Sequence, residues 1–255
     1  MAQRLKAKQS LGQNFLVDDN IARKIVACIN PQPDDIVVEI GPGHGMITQL
    51  LQKKVKKLVA IEIDRRLYEE LDATFGKAKN FTLIKKDFLD VDLHEFGFNH
   101  KIRLVGNIPY NITSPILFRI FDQREMARDL TLLVQKEVGL RMISQPKSKD
   151  YGILAVISQA FADVNMLLKV PPTVFQPRPK VDSALVQWNF TPSRAQHIKD
   201  ERFFRSLVKQ AFGLRRKMLR NSLKEYADKT RYDFTRRPEQ LSVEEWIDLA
   251  NELIS

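Results

Sequence analysis

Short runs of β-branched residues alternate with helical patterns through the first 190 residues, and no other feature restricts the fold as much. Residues 36–40, Ile-Val-Val-Glu-Ile, read as a buried strand. Residues 58–63 and 81–84 give the next two, and 102–107 and 130–134 follow. Helical spacing covers 46–51, 67–75 and 114–121 and continues to about 161. Two last strands are expected near 165–170 and 184–190, closing the sheet as an antiparallel pair. Strands that alternate with helices build a doubly wound, mainly parallel sheet, so the fold class is α/β. Ahead of the first strand, Asp18 or Asp19 is placed to cap a helix running to about residue 29.

The pattern changes after Pro192. Residues 201–255 carry helical periodicity without a convincing strand. Ser242-Val243-Glu244-Glu245 is a capping box that opens a last helix. The expected organisation is an α/β domain over 1–191, with a basic N-terminal arm, and a small all-helical domain over 192–255. Lysine and arginine outnumber acids by 41 to 31, a net charge of +10, which suggests a polyanionic partner, nucleic acid before membrane. The single cysteine, Cys28, excludes a disulfide framework and a cysteine zinc site, and fits a reducing, cytoplasmic setting. It falls on the apolar face of its helix. His44, His94, His100 and His197 show no ligand spacing, so no metal is expected. No apolar run is long enough to span a membrane, and the basic start lacks the apolar core of a signal peptide.

Glu39-Ile40-Gly41-Pro42-Gly43-His44-Gly45 follows the first strand and opens a helix. Glycines here let the backbone turn sharply and approach a ligand. The spacing is not the dinucleotide form G-x-G-x-x-G, so a pyrophosphate is not favoured. Glu62 ends the next strand, where an acid can accept hydrogen bonds from both hydroxyls of a ribose. Asp87 ends the third and can accept from an adenine amino group. Gly41, Glu62 and Asp87 thus converge on the carboxyl edge of the sheet, where open α/β folds bind ligands. An adenosyl ligand without phosphates points to S-adenosylmethionine. The plainer alternative has Glu62 and Asp87 as helix caps. His44, at a helix start beside the glycines, reads as structural.

Asn107-Ile108-Pro109-Tyr110 places an amide, a proline and an aromatic ring at the mouth of the same sheet. The exocyclic amine of adenine is a poor nucleophile, because its lone pair is delocalised into the ring. A side-chain amide oxygen and backbone carbonyls that accept its two N–H bonds draw that pair towards sp3 character. Tyr110 is suited to stack on the ring. The alternative is a strand end and a proline turn, with tyrosine as packing.

Six ordered motifs make the chain recognisable. They are Gln13-Asn14-Phe15-Leu16, the glycine segment 39–45, Glu62-Ile63-Asp64, Lys86-Asp87, Asn107-Ile108-Pro109-Tyr110, and residues 175–183, Phe-Gln-Pro-Arg-Pro-Lys-Val-Asp-Ser. Over nearly its whole length the chain resembles the ribosomal RNA adenine N6,N6-dimethyltransferase family, in the form of its bacterial small-subunit branch. The resemblance implies a Rossmann-like methyltransferase sheet with a helical C-terminal domain. It implies S-adenosylmethionine held by Asn14, Leu16, Gly41, Glu62, Asp87 and Asn107. Asn107, Pro109 and Tyr110 would handle the target adenine, and Phe175 would supply a second aromatic face around the flipped base. The implied substrate is a pair of adjacent adenosines in the 3′-terminal hairpin loop of small-subunit (16S) ribosomal RNA, within an immature 30S subunit.

The helical tail carries Arg215, Arg216, Lys217 and Arg220, a dense basic group suited to RNA phosphates, although charge runs are often only solvated faces. Lys6, Lys8, Arg141, Lys147, Lys149, Arg178 and Lys180 are candidates to extend that surface. A monomer is expected, since no association stripe stands out. Two other readings remain: a related large-subunit adenine methyltransferase of the macrolide-resistance type, and a ribosome-assembly factor whose chemistry is incidental. The form of residues 175–183 and the longer helical tail favour the small-subunit type. The intact positions Gly41, Glu62, Asp87, Asn107 and Tyr110 favour an enzyme.

Overall fold

A computed structural model describes residues 12–190 and 194–254. Lys6 and Lys8 lie outside the described residues. The chain runs through β1 (Phe15–Leu16), α1 (Asp19–Ile29), β2 (Ile36–Ile40), α2 (Thr48–Leu51), β3 (Lys57–Glu62), α3 (Tyr68–Phe75) and β4 (Phe81–Lys85). It continues through β5 (Ile102–Asn107), α4 (Thr113–Phe121), β6 (Ala127–Gln135), α5 (Lys136–Met142), α6 (Ile153–Phe161), β7 (Asp163–Val170), β8 (Phe175–Gln176) and β9 (Ser183–Asn189). Three helices end it: α7 (Glu201–Gly213), α8 (Leu219–Ser222) and α9 (Val243–Leu253).

Seven strands form one sheet in the order β4-β3-β2-β5-β6-β9-β7. The pairs β3–β4, β2–β3, β2–β5 and β5–β6 are parallel. The strand order reverses direction at β2, between β3 and β5, so the ends of β2, β3 and β5 flank a crevice of the kind that binds ligands in such sheets. The strands are Rossmann-like in composition as well as order. Val37, Leu58, Ala60 and Val105 join one buried cluster with Ile25, Val26 and Ile29 of α1 and Leu71 and Phe75 of α3. Their alternates Val38, Val59, Ile61 and Leu104 are equally buried on the opposite face. Burial on both faces is what a parallel sheet requires.

Helix α1 starts where its sequence places it. The Asp18 carboxylate accepts the Ile21 amide at 2.9 Å, and the helix ends at Asn30 in the left-handed region, φ 50°. Its last carbonyls are met by a residue that pattern reading passes over. Arg103, 3 % exposed at the start of β5, donates to Ile29 O at 2.6 Å and Asn30 O at 2.9 Å. The same guanidinium bonds Asp129 at 2.9 Å and Asp35 at 2.9 Å. Cys28 is half-buried against the core.

Two compact units divide the chain: 1–136 with 166–187, and 137–165 with 188–255. The second unit therefore draws α5 and α6 as well as the tail, where the sequence pattern suggested one boundary near 192. The reason is packing. Phe161 on α6 meets Phe204 on α7 edge to face at 6.3 Å, and Tyr151 meets Phe212 at 6.3 Å. Phe212 in turn lies 5.8 Å from Trp246 of α9. That helix opens with the expected capping box, Ser242 and Glu245 bonding reciprocally.

Candidate active site

A cleft of about 1180 Å³, its open mouth included, lies at the carboxyl edge of β2, β3 and β5. Its lining includes Asn14, Leu16, Glu39, Gly41, Glu62, Asp87, Asn107 and Pro109. All six residues expected to hold the cofactor are thus on one wall system, each delivered by a strand end or by the arm 12–17.

The floor is the turn after β2. Gly41 has φ 67°, and a Cβ built there would meet only Asn107 O, at 3.8 Å, and otherwise occupy open cleft. Gly43 has φ 57°, and a Cβ there would stand 2.9 Å from the Phe15 ring. Backbone this close to a ligand space suits an adenosyl group lying across it. Glu62 is 3 % exposed. One oxygen accepts Ile63 N at 3.0 Å and Asp64 N at 2.8 Å, and the other accepts Gly43 N at 3.3 Å. Burial raises its pKa, against the pull of these three amides. The second oxygen holds only the longer bond and retains capacity for a ribose hydroxyl. Asp87 accepts Leu89 N at 2.9 Å through one oxygen, so it caps a short 3-10 helix and also faces the cleft.

The arm crosses this floor. Gln13 donates to Asp64 at 2.9 Å, and Arg66 bonds both of them. The hydrogen bond from Arg66, more than that from Gln13, holds the Asp64 carboxyl down at about 2. Phe15 packs on His44, ring centroids 4.4 Å apart, and His44 Nδ1 lies 3.0 Å from both oxygens of Glu70. Asn107 Nδ2 donates to Asn14 O at 3.2 Å. That bond orients the amide and leaves its carbonyl oxygen as an acceptor in the cleft.

The target-base residues divide. Pro109 lines the cleft, whereas Tyr110, the next residue, is half-buried and is not part of the cleft lining. Tyr110 Oη shares a hydrogen bond of 2.7 Å with Ser183 Oγ, and burial raises the phenol pKa. Phe175 lies deeper than Tyr110. It is 4 % exposed, packed in the core cluster with Leu16, Val174 and Leu185, and absent from the cleft lining. The cause is the β1–β8 ladder, in which Phe175 pairs with Leu16 and Gln176 with Phe15. Two strands of two residues give no readable period in the sequence. Gln13, Asp64 and Ser183 stand inside the motifs, but their residue types alone do not reveal the Gln13–Asp64–Arg66 latch or the Ser183–Tyr110 bond.

The basic residues of the tail sit in the second unit. Arg216, Lys217 and Arg220 are exposed, whereas Arg215 is half-buried and donates to Ser148 O at 3.4 Å and to Lys149 O. Among the described residues no helix is long and apolar enough to cross a membrane, and no cluster of His, Cys, Asp and Glu could hold a metal.

Known proteins are similar to this chain in sequence and in fold. A protein of Chlorobium phaeobacteroides (strain BS1) named ribosomal RNA small subunit methyltransferase A is 45 % identical over 98 % of this chain and 94 % of its own. One of that name from Alkaliphilus metalliredigens (strain QYMF) is 39 % identical over 98 % of this chain and 93 % of its own. Among solved structures, a dimethyladenosine transferase from Plasmodium falciparum has the same fold, with TM-score 0.78 and 23 % identity over 92 % of this chain and 95 % of that one. The 23S rRNA methyltransferase ErmE superposes with TM-score 0.69 and 26 % identity, over 95 % of this chain and 100 % of that one. The sequence model of ribosomal RNA adenine dimethylase matches residues 4–254, and the chain belongs to that family.

Proposed function

We propose that this protein uses S-adenosylmethionine to dimethylate N6 of two adjacent adenosines in the 3′-terminal hairpin loop of small-subunit ribosomal RNA. Its substrate is an immature 30S subunit in the cytoplasm, and it works as a monomer without a metal. One observation carries the chemistry: Asn107, at the end of β5, has its amide nitrogen engaged by Asn14 O while its oxygen remains an acceptor beside Pro109. The small-subunit substrate is supported by 39–45 % identity, over nearly the full length, to proteins named for it.

Glu62 would take the ribose hydroxyls, Asp87 would take the adenine amino group, and Gly41, Asn14 and Leu16 would cradle the remainder of S-adenosylmethionine. When bound, S-adenosylmethionine supplies a methyl made electrophilic by the positive charge on its sulfur. Asn107 accepts an N–H of the target amine, localising the nitrogen lone pair, and Tyr110 stacks on the base once it leaves the RNA stack. Ser183 fixes the tyrosine ring by its hydroxyl. Rate arises from alignment and from acceptors that act in the transition state. No strong base is needed, because the cation formed when the nitrogen takes the methyl is strongly acidic and loses its proton to water.

The test is transfer of labelled methyl to purified small subunits that lack the modification. Modified small subunits, large-subunit RNA and Asn107→Ala serve as controls, with nucleoside mass spectrometry on the product. Two adjacent dimethyladenosines in the unmodified small subunit alone are expected. Asn107→Ala should lose ~10²–10³ in rate with little loss of RNA affinity, as when one transition-state acceptor or donor is removed. Label in large-subunit RNA instead would move the assignment to the resistance type. Tight binding without transfer to any RNA would favour an assembly factor.

A further inference from the structure

The loop between β8 and β9, residues 177–182, is anchored at both ends. On one side Phe175 and Gln176 are paired with the arm. On the other, Ser183 is fully buried and bonded to Tyr110. Lys136 N donates to Asp182 O at 2.9 Å, and the Lys136 ammonium lies 3.4 Å from the Asp182 carboxylate. Pro177 and Pro179 fix φ at two of the positions between. Such a loop holds its tip in place.

The tip is unusual in composition. Val181 is 45 % exposed, one of few large apolar side chains given to solvent. Its neighbours Arg178 and Lys180 are exposed cations. The loop's acid, Asp182, is already matched by Lys136. Net positive charge around an apolar side chain suits a nucleic acid, with cations on phosphates and the apolar group against bases. Position narrows the role. Val181 is two residues from Ser183, so its Cα lies within ~7 Å of that of the residue that touches Tyr110.

Resting on the function proposed above, we infer that Val181 is the wedge that enters the gap left in the RNA stack when the target adenosine swings out, with Arg178 and Lys180 on the flanking phosphates. A base cannot be methylated inside its stack, and removing it leaves neighbours with an uncovered face. Proteins that distort nucleic acids cover such faces with apolar side chains. A branched aliphatic at a rigid tip does so at little conformational cost.

The experiment compares wild type, Val181→Ala and Val181→Leu on small subunits lacking the modification, under single turnover. Affinity for the subunits and for S-adenosylhomocysteine is measured alongside. Val181→Ala should slow transfer by about 10- to 100-fold, matching loss of a stacking partner for one base step. Affinity for subunits and for S-adenosylhomocysteine should stay within about 3-fold, since the cations and the cleft remain. Val181→Leu should restore the rate to within about 3-fold, because bulk is what fills the gap. An alanine variant as fast as wild type overturns the wedge, as does a loss that sits in affinity or that leucine leaves unrepaired. A wild-type protein that methylates no RNA overturns the proposed function, and the wedge with it.

Discussion

At the end of β2, Glu39 is 2 % exposed and its Oε2 has no hydrogen-bond partner. Burial pushes its pKa up to about 7 from an ordinary 4.5, and the nearby Glu62 charge adds to this while the Thr48 hydroxyl opposes it. The folded chain therefore holds a proton that the unfolded chain has released. Below pH 4.5 both states are protonated and the stabilising effect is complete; it is lost as pH rises through 7 and then stays constant. Glu39→Gln keeps the shape and removes the titration. Wild type should lose up to about 3 kcal/mol relative to the glutamine variant between pH 4.5 and 8, as the linkage relation gives for this shift. Denaturant unfolding of both proteins at several pH values checks this. Parallel curves would place the titration on another group. Glu62, Asp87 and Asn107 were legible in the sequence because acid and amide types at successive strand ends have few other uses. Glu39 carried no such mark, since its chemistry comes from burial, which no residue type declares.

The arm and the glycine turn act as one element. Gly43 sits in the left-handed region with Phe15 against it, and Phe15 packs on His44. Any side chain at 43 meets both a backbone penalty and the ring. Gly43→Ala should cost ~1–2 kcal/mol from the positive φ alone. It should also weaken S-adenosylhomocysteine binding by displacing the arm that carries Asn14 and Leu16. Thermal unfolding and calorimetric titration read the two effects. In Phe15→Leu background the binding loss should shrink, because the clash goes while the φ penalty stays; an unchanged loss would mean that the arm does not cover the cleft. Elements with period and caps were readable: α1 from Asp18, α9 from its capping box, β2 to β5 from their β-branched runs. The β1–β8 ladder was not, because its strands are two residues long. Arg103 was hidden for a different reason. A cation inside a strand reads as an exposed position until the partners at 35, 129 and the end of α1 are brought to it by the fold.

At the scale of the whole molecule, the α/β class followed from alternation, but the partition into units did not. Residues 137–165 leave the first unit after β6 and join the helices, and only long-range packing such as Phe161 on Phe204 reveals it. That packing also sorts the basic group that gives the chain part of its +10 charge. Arg215 is spent on the carbonyls of Ser148 and Lys149, so it holds the loop after α5 against the turn after α7. Arg216, Lys217 and Arg220 are exposed and show no such bond to a carbonyl among the described residues. The two kinds of residue should separate in a salt titration of binding to small subunits. Replacing Arg216, Lys217 and Arg220 by glutamine should lower affinity and flatten the slope of log K against log salt by ~2–3, close to one counterion for each lost phosphate contact. Methyl transfer at saturating subunits should be preserved. Arg215→Gln should instead reduce the thermal stability of the protein and change the slope by less than about one, because it acts through the position of Lys147 and Lys149. An unchanged slope in the triple variant would move the RNA footprint off this turn. A full unit of slope lost with Arg215 alone would make it a phosphate ligand despite its bonds to the backbone.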